Sequence, residues 1–144
     1  MSHADTDSAR VPLDNTRPFE HAYGASFYYF DACGDGLSGG TYRRALVDKL
    51  MHCPFTDAAK ARFAVRAGMQ SKKARELIRD LIEQTGGLPV RLEGMRRTCR
   101  EQMDSPEYRE LSNRLEAYEA GSADRDDVVP AACSAIEITP DAPR

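Results

Sequence analysis

The sequence has no tryptophan, only three histidines, and no apolar run near the roughly 20 residues that a membrane-spanning helix needs. Its first 15 residues are polar and acidic, and they lack the apolar segment of an export signal. The sequence therefore predicts a cytoplasmic protein with no membrane partner. Because no histidine stands at a recognisable spacing from a nucleophile or a carboxylate pair, it also predicts no enzyme and no cofactor.

Closely paired cysteines are also missing. The four cysteines, Cys33, Cys53, Cys99 and Cys133, are far apart and form no CxxC pair. Structural zinc sites usually have close paired ligands, so a site built from His52, Cys53, Cys33 and Cys99 is the weaker interpretation. The prediction is reduced, partly buried thiols and no metal.

Charge is unevenly distributed along the chain, although the net charge is only -3. Residues 1–41 hold 2 basic and 6 acidic side chains, residues 42–100 hold 14 and 6, and residues 101–144 hold 4 and 11. A basic centre between acidic ends is typical of proteins that bind phosphate groups. The alternative is a set of helix surfaces that happen to be rich in arginine.

The N-terminal third shows no clear helical period. Residues 1–18 are predicted to be a flexible arm, and residues 19–41 an aromatic and glycine-rich extension. The aromatic run from Phe27 to Phe30 is typical of a short strand or a buried packing segment, which we expect to cover the core.

Gly34, Gly36 and Gly39 match the sequence pattern of a dinucleotide-binding loop, but no second parallel strand follows. A calcium loop fails because Tyr42 stands where a glutamate is required. A flexible linker with a helix cap at Thr41 is the favoured interpretation.

Helical periods begin at Tyr42. A first helix ends at Pro54, a second carries Ala59, Phe63 and Ala67 inward and ends at Gly68, and a third begins near Ser71. In the third helix, predicted over residues 71–84, the inward stripe consists of Ala74, Leu77, Ile78, Leu81 and Ile82. Residues 61–87 therefore have the pattern of a helix-turn-helix.

A change of period follows that helix. Leu88, Val90 and Leu92 alternate with polar residues, and Glu93-Gly94 suits a tight turn into a second strand, so residues 88–97 are predicted to form a short β-hairpin. The features that carry a family resemblance are Ala64, Gly68, Met69, Ala74, Leu77 and Leu81, followed by Gly87-Leu88-Pro89-Val90 and Gly94. With these, residues 42–97 resemble the compact winged helix-turn-helix DNA-binding domains of phage and plasmid proteins. The predicted fold is mainly α with a small β-hairpin: a winged helix-turn-helix over 42–103, a C-terminal helix over 104–121, and an acidic disordered tail over 122–144.

The resemblance implies a sequence-specific regulator that binds double-stranded DNA. Its reading helix would enter the major groove and its wing would contact phosphates. Flanking phosphates would be held by Arg43, Arg44 and Lys60. The predicted nucleic-acid-binding residues are Gln70, Ser71, Lys72, Lys73, Arg75, Arg79, Arg91, Arg96 and Arg97.

Two other interpretations stay open at this point. The chain could instead be a small helical adaptor or inhibitor that binds a protein partner through the aromatic patch or the acidic tail. The narrow apolar seam of the C-terminal helix, at Tyr108, Leu111, Leu115 and Tyr118, suits packing on the domain or a homodimer contact.

Overall fold

A computed structural model describes residues 13–85 and 89–134 of the chain. Within those ranges, helices dominate and the only β pairing is an isolated bridge between Leu13 and Phe55. The elements in order are α1 (Arg17–Tyr29), a 3-10 turn (Asp31–Cys33), α2 (Gly36–His52), α3 (Asp57–Thr85), α4 (Pro89–Met103), α5 (Pro106–Glu119) and α6 (Arg125–Val128). The described chain is mainly helical, but the small β-hairpin of the predicted fold class is not among its elements.

Helix α1 lies at the centre of the core. The segment predicted as a strand or packing segment is helical, since its apolar residues Phe19, Tyr23, Phe27 and Phe30 recur at intervals of three and four. Pro18 occupies the first turn, where its missing N–H costs nothing. Phe19, Phe27 and Phe30 are almost fully buried, as expected of a segment that covers the core. The strand alternative was wrong. Four consecutive aromatic residues suggested a strand, although the apolar residues of the longer segment recur at the helical spacing of three and four.

Helix α2 begins six residues before the predicted start at Tyr42. Asp35 caps it by accepting a hydrogen bond from the backbone N–H of Ser38 at 3.4 Å, and Gly34, at φ 83°, ends the preceding 3-10 turn. The glycine-rich segment is therefore a helix start, and neither a flexible linker nor a Thr41 cap is present. Gly39 lies against Asp31 and Phe30, where a side chain has no room.

One cation fastens α2 to the end of α1. The guanidinium of Arg43 donates two hydrogen bonds to Asp31, each of 3.0 Å, and one to Ser26 Oγ at 3.0 Å. Its Cζ lies 3.9 Å from the centre of the Phe27 ring. A bidentate pair stacked on an aromatic ring is among the stronger charge contacts in proteins.

Helix α3 is continuous over 29 residues, so the predicted turn at Gly68 is wrong. Its length is about 43 Å at 1.5 Å per residue. Gly68 does not have a positive φ in this helix. A glycine costs a helix interior only about 1 kcal/mol relative to alanine. The stripe of Phe63, Ala67 and Ala74, which stays buried on both sides of Gly68, more than offsets that cost.

The predicted wing is also wrong. Pro89–Met103 forms α4, and Leu88, the first residue of the predicted hairpin, lies outside the described residues. Pro89 suits the first position of a helix, and the following Glu, Arg, Met and Gln residues are good helix formers. Alternation over only three apolar residues was too short to indicate a strand. With neither turn nor hairpin, the winged helix-turn-helix assignment is withdrawn.

The C-terminal helix was predicted correctly. In α5, Ser105 Oγ accepts a hydrogen bond from the N–H of Tyr108 at 3.2 Å, and Gly121, at φ 81°, follows the helix end. Tyr108 also donates a hydrogen bond to Asp35. Burial, with this hydrogen bond as the second cause, raises the pKa of the Tyr108 phenol above its usual range. Tyr108 and Leu115 are buried, so the seam packs on the core.

Part of the predicted disordered tail is folded. Asp124 and Asp127 form a capping box for α6, and Val128 and Val129 are buried in the core. Residues 135–144 lie outside the described residues, as do residues 1–12 of the predicted arm. Because Leu13 pairs with Phe55 and Thr16 is buried, the end of that arm is also held.

All four cysteines are paired in two disulfides, Cys33–Cys99 and Cys53–Cys133. The prediction of reduced thiols is wrong, because wide sequence spacing says nothing about distance in a fold. The bridges join residues that are 66 and 80 positions apart. Loops of that size correspond to about 4 kcal/mol of chain-entropy stabilisation each.

Replacement of Gly68 with alanine tests the continuity of α3. Nothing lies within 4 Å of the added Cβ, so we expect the free energy of unfolding to rise by about 0.5 to 1 kcal/mol in urea titrations with the disulfides intact. The control, Gly121→Ala, should lower it because φ is positive there. A loss of stability in Gly68→Ala would contradict the continuous helix.

Replacement of Gly39 with alanine should destabilise the junction of α1 and α2. The added Cβ would overlap Asp31 Oδ1 and would lie 3.0 Å from Phe30 Cβ. We expect the free energy of unfolding to fall by about 1 to 3 kcal/mol. Gly40→Ala is the matched control, since its nearest neighbour is Arg44 Nη1 at 3.9 Å. Equal stabilities for the two variants would refute this close packing.

Candidate nucleic-acid interface

Much of the charge separation seen in the sequence is used inside the fold. Five cations of the basic segment 42–100 pair with acidic residues of the flanking segments, which brings opposite charges together across the core. The pairs are Arg43–Asp31, Arg44–Glu119, Lys49–Asp126, Arg62–Asp14 and Arg66–Glu20. In the third of these, the hydrogen bond from Lys49 lowers the pKa of Asp126. The sequence pattern therefore has a structural explanation for part of its charge.

Three predicted phosphate contacts already have partners within the fold. Arg43 is held by Asp31, and Arg44 pairs with Glu119. Lys60 Nζ donates a hydrogen bond of 3.3 Å to the backbone oxygen of Met51. Their predicted role in clamping flanking phosphates has no support in this arrangement.

The cations of the basic segment 42–100 that are left over lie on two consecutive helices. Five exposed side chains of that segment have no acidic partner among the described residues, and we call them the unpaired cations: Lys72, Lys73, Arg75, Arg96 and Arg97. The first three belong to the second half of α3 and the last two to α4. All five were among the residues predicted from the sequence to bind nucleic acid.

Helix geometry arranges the cations of α3. Lys72, Arg75 and Arg79 are spaced by three and four residues, so they follow one face of the helix. Arg79 Nε lies 3.9 Å from Asp80 Oδ1, a long contact between exposed groups. Lys73 is offset toward the neighbouring face. In the described part of the chain, Lys72 and Glu76 form no ion pair despite their spacing of four.

Gln70 and Ser71 do not belong to this surface. Gln70 continues the inward stripe of Phe63, Ala67 and Ala74, and its amide lies against Gly24 of α1. Its Oε1 is buried without a hydrogen-bond partner. Ser71 is half-buried. The sequence placed both residues in a turn, and the continuous helix turns them toward the protein.

The remaining predicted contacts lie on α4. Arg96 and Arg97 are exposed, and Arg100 Nη2 lies 3.2 Å from Glu93 Oε1. The side chain of Arg91 lies outside the described residues. The predicted wing contacts are thus carried by a helix and not by a hairpin.

An open groove of about 420 Å³ adjoins the cations of α3. It lies where the end of α1 meets α3, and its lining includes Phe27, Asp31, Arg75, Ile78, Arg79 and Glu83. Its two basic residues face two acidic ones, so the groove has no net preference for an anion.

The aromatic patch proposed as a protein contact is not on the surface. Phe27, Tyr29 and Phe30 are almost fully buried, and Tyr28 is half-buried. The large apolar side chains that are exposed on α3 are Val65, Met69, Leu77 and Leu81. An adaptor function through the aromatic patch is therefore withdrawn.

Neither a metal-ligand cluster nor a membrane-spanning helix is found in the described ranges. No cluster of three or more His, Cys, Asp or Glu side chains there could hold a metal ion. None of the helices in those ranges has the length and apolar character needed to cross a membrane. His52 is engaged with Asp48, and His21 is exposed.

Comparisons with protein-family models, with curated protein sequences and with solved structures find no match for this chain.

A substitution at Gln70 separates a packing role from a reading role. Gln70→Met keeps the length of the side chain and removes the buried oxygen that lacks a partner. We expect the free energy of unfolding to rise by about 1 kcal/mol in urea titration, with nucleic-acid retention unchanged. A loss of retention in this stable variant would restore Gln70 to the binding surface.

Proposed function

We propose that this chain is a non-enzymatic protein that binds double-stranded DNA through the second half of α3 and through α4. The observation that supports the proposal is that, within the basic segment, the exposed cations without an acidic partner lie on these two helices, while five other cations of the segment are neutralised within the fold. The proposal keeps the predicted partner and gives up the predicted wing.

Phosphate groups suit these cations for a physical reason. Exposed lysine and arginine side chains without acidic partners repel one another, and a phosphate backbone relieves that repulsion while it releases bound counterions. Arginine also donates paired hydrogen bonds to phosphate oxygens. Lys72, Lys73, Arg75, Arg96 and Arg97 are thus matched to a polyanion in both charge and hydrogen bonding.

The shape of α3 favours a duplex. A helix with its side chains is about 10–12 Å across, and the major groove of B-form DNA is about 12 Å wide. In the proposed complex, Lys72, Arg75 and Arg79 face the groove, where they bind phosphates and the O6 and N7 atoms of guanine. Arg96 and Arg97 bind the neighbouring backbone. Because contacts with guanine edges depend on the base sequence, the proposal includes sequence-specific regulation.

The two disulfides bear on the cellular compartment of the protein. Disulfides persist in oxidising compartments and are rare in the cytosol. The cytoplasmic location predicted from the sequence stays a prediction, and Cys33–Cys99 and Cys53–Cys133 favour an oxidising environment instead. The binding chemistry proposed here is the same for DNA on either side of a membrane.

A protein partner is the second candidate function, supported by a different face of α3. Val65 and Met69 are 65% and 67% exposed, four residues apart on the same side of the helix. Exposed apolar side chains in adjacent turns are a feature of helix-mediated protein contacts.

Removal of three unpaired cations tests the DNA proposal. The variant Lys72→Gln, Lys73→Gln, Arg75→Gln should bind a mixed-sequence duplex at least about tenfold more weakly in gel-shift titrations at low salt. The slope of log affinity against log salt concentration should also become shallower by about 2 to 3 units, because three phosphate contacts are lost.

The matched control removes the same charge elsewhere. Arg17→Gln, Arg109→Gln, Arg114→Gln changes three exposed cations outside α3 and α4, and it should keep the wild-type affinity and slope to within about one unit. Equal losses in both variants would reduce the effect to net charge and sink the proposed interface. Wild-type protein that fails to retain DNA, but captures one protein in a salt-insensitive manner through Val65 and Met69, would favour the second candidate.

A further inference from the structure

Over residues 93–103, helix α4 is attached to the rest of the protein at few points. No side chain in that range is buried. Apart from Met103 at the margin of the core and contacts with the neighbouring helices α3 and α5, the attachments in this range centre on Cys33: the Cys33–Cys99 disulfide, a hydrogen bond of 2.6 Å from Gln102 Nε2 to the backbone oxygen of Tyr29, and the approach of that nitrogen to Cys33 Sγ at 3.9 Å. One covalent bond therefore holds a stretch of helix with little buried surface of its own.

We propose that Cys33–Cys99 is a reducible site, and that its reduction by a dithiol releases and unfolds α4 while the core stays folded. An isolated helix of 15 residues is marginal in water, and this one contains Gly94 and a dense set of charges. Once the disulfide is reduced, a single side-chain hydrogen bond and Met103 are too little to hold residues 93–103 in place.

The chemistry needs only a dithiol reductant. One thiolate of the reductant attacks a sulfur of the Cys33–Cys99 bond, which breaks to give a mixed disulfide and a free cysteine thiolate. The second thiol of the reductant then displaces the other cysteine. The reductant leaves as its disulfide, and Cys33 and Cys99 each take up a proton.

The two disulfides differ in the way this proposal requires. Cys33 and Cys99 are both partly exposed, at the edge where α4 meets the 3-10 turn. In the other bond, Cys53 is only 3% exposed, and Cys133, although partly exposed, packs against the core that includes Phe55, Val128 and Val129. Access of the attacking thiolate limits exchange, so Cys33–Cys99 reacts first.

The effect of reduction on DNA binding rests on the function proposed above. Arg96 and Arg97 lie on α4, so its release removes two of the five unpaired cations from their fixed positions. Because a mobile segment loses conformational entropy when it binds, the affinity for DNA should fall. The disulfide would then act as a redox control on the interface.

The experiment uses the full oxidised chain and graded dithiothreitol, with free thiols trapped by alkylation and located by peptide mass mapping. Cys33 and Cys99 should be trapped at least about tenfold faster than Cys53 and Cys133. Protein reduced at the first pair alone should lose about one sixth of its helical circular dichroism, the share of α4 in the helices. Hydrogen exchange should rise at least about tenfold over residues 93–103 and stay unchanged in α1 and α2.

Matched variants provide the control. Cys33→Ser with Cys99→Ser should reproduce the loss of protection in α4 without any reductant, whereas Cys53→Ser with Cys133→Ser should leave α4 protected. If the first variant does not fold, the titration of the wild-type chain stands alone.

Prior or simultaneous reduction of Cys53–Cys133 would overturn the proposal, and so would full protection of α4 after Cys33–Cys99 is reduced. None of these measurements contains DNA. A protein that fails to bind DNA but releases α4 would refute only the proposed function.

Discussion

The burial of the aromatic face of α1 is the constraint on which the rest of the fold depends. Phe19, Tyr23 and Tyr29 of α1, and Phe30 directly after it, each contact a ring in a different part of the chain. The pairs are Phe19 with Phe55 before α3, Tyr23 with Phe63 in α3, Phe30 with Tyr42 in α2, and Tyr29 with Tyr108 in α5. Ring pairs with centroids 5.4 to 5.8 Å apart add directional preference to the burial of apolar area. Three helices and the segment before α3 are thus positioned by α1 and its C-terminal end, and α4, which has no ring in this set, is held by other attachments.

Charge forms a second layer around this core, and its arrangement follows from the first. Helices α2 and α3 present cations along their length, and α1 and α6 supply carboxylates within reach, as in Arg66–Glu20 and Lys49–Asp126. Beside the last turns of α1, none of the described carboxylates pairs with Lys72, Lys73 or Arg75. The candidate interface therefore begins where α3 still packs on α1 through Ala74. Further along α3 the packing weakens, and Leu77 and Leu81, which continue the inward stripe, are exposed.

Local signals predicted some elements well and others badly. The cap at Ser105, Pro106 and Gly121 set the bounds of α5, because capping depends on neighbouring residues alone. The predicted inward stripe is confirmed at Phe63, Ala67 and Ala74 and wrong at Leu77 and Leu81, which are exposed. Gly68 was predicted to end the helix, but tertiary packing on α1 overrides its small helical cost. Because the inward stripe fixes which face of α3 is inward, the exposure of Lys72, Lys73 and Arg75 could be predicted from it. Gln70, the ion pairs and the disulfide partners could not be predicted, since each depends on segments that are distant in sequence.

The two disulfides have a topological consequence beyond their stability. Cys53 lies between Cys33 and Cys99, and Cys133 lies outside them, so the two closed loops interleave. A single break in the backbone anywhere between residues 33 and 133 leaves two pieces that at least one disulfide still joins. A chain nicked in the α3–α4 connection keeps both bridges across the cut. The oxidised protein is thus a covalent network, in which one cleavage by a protease opens the chain without dividing the molecule.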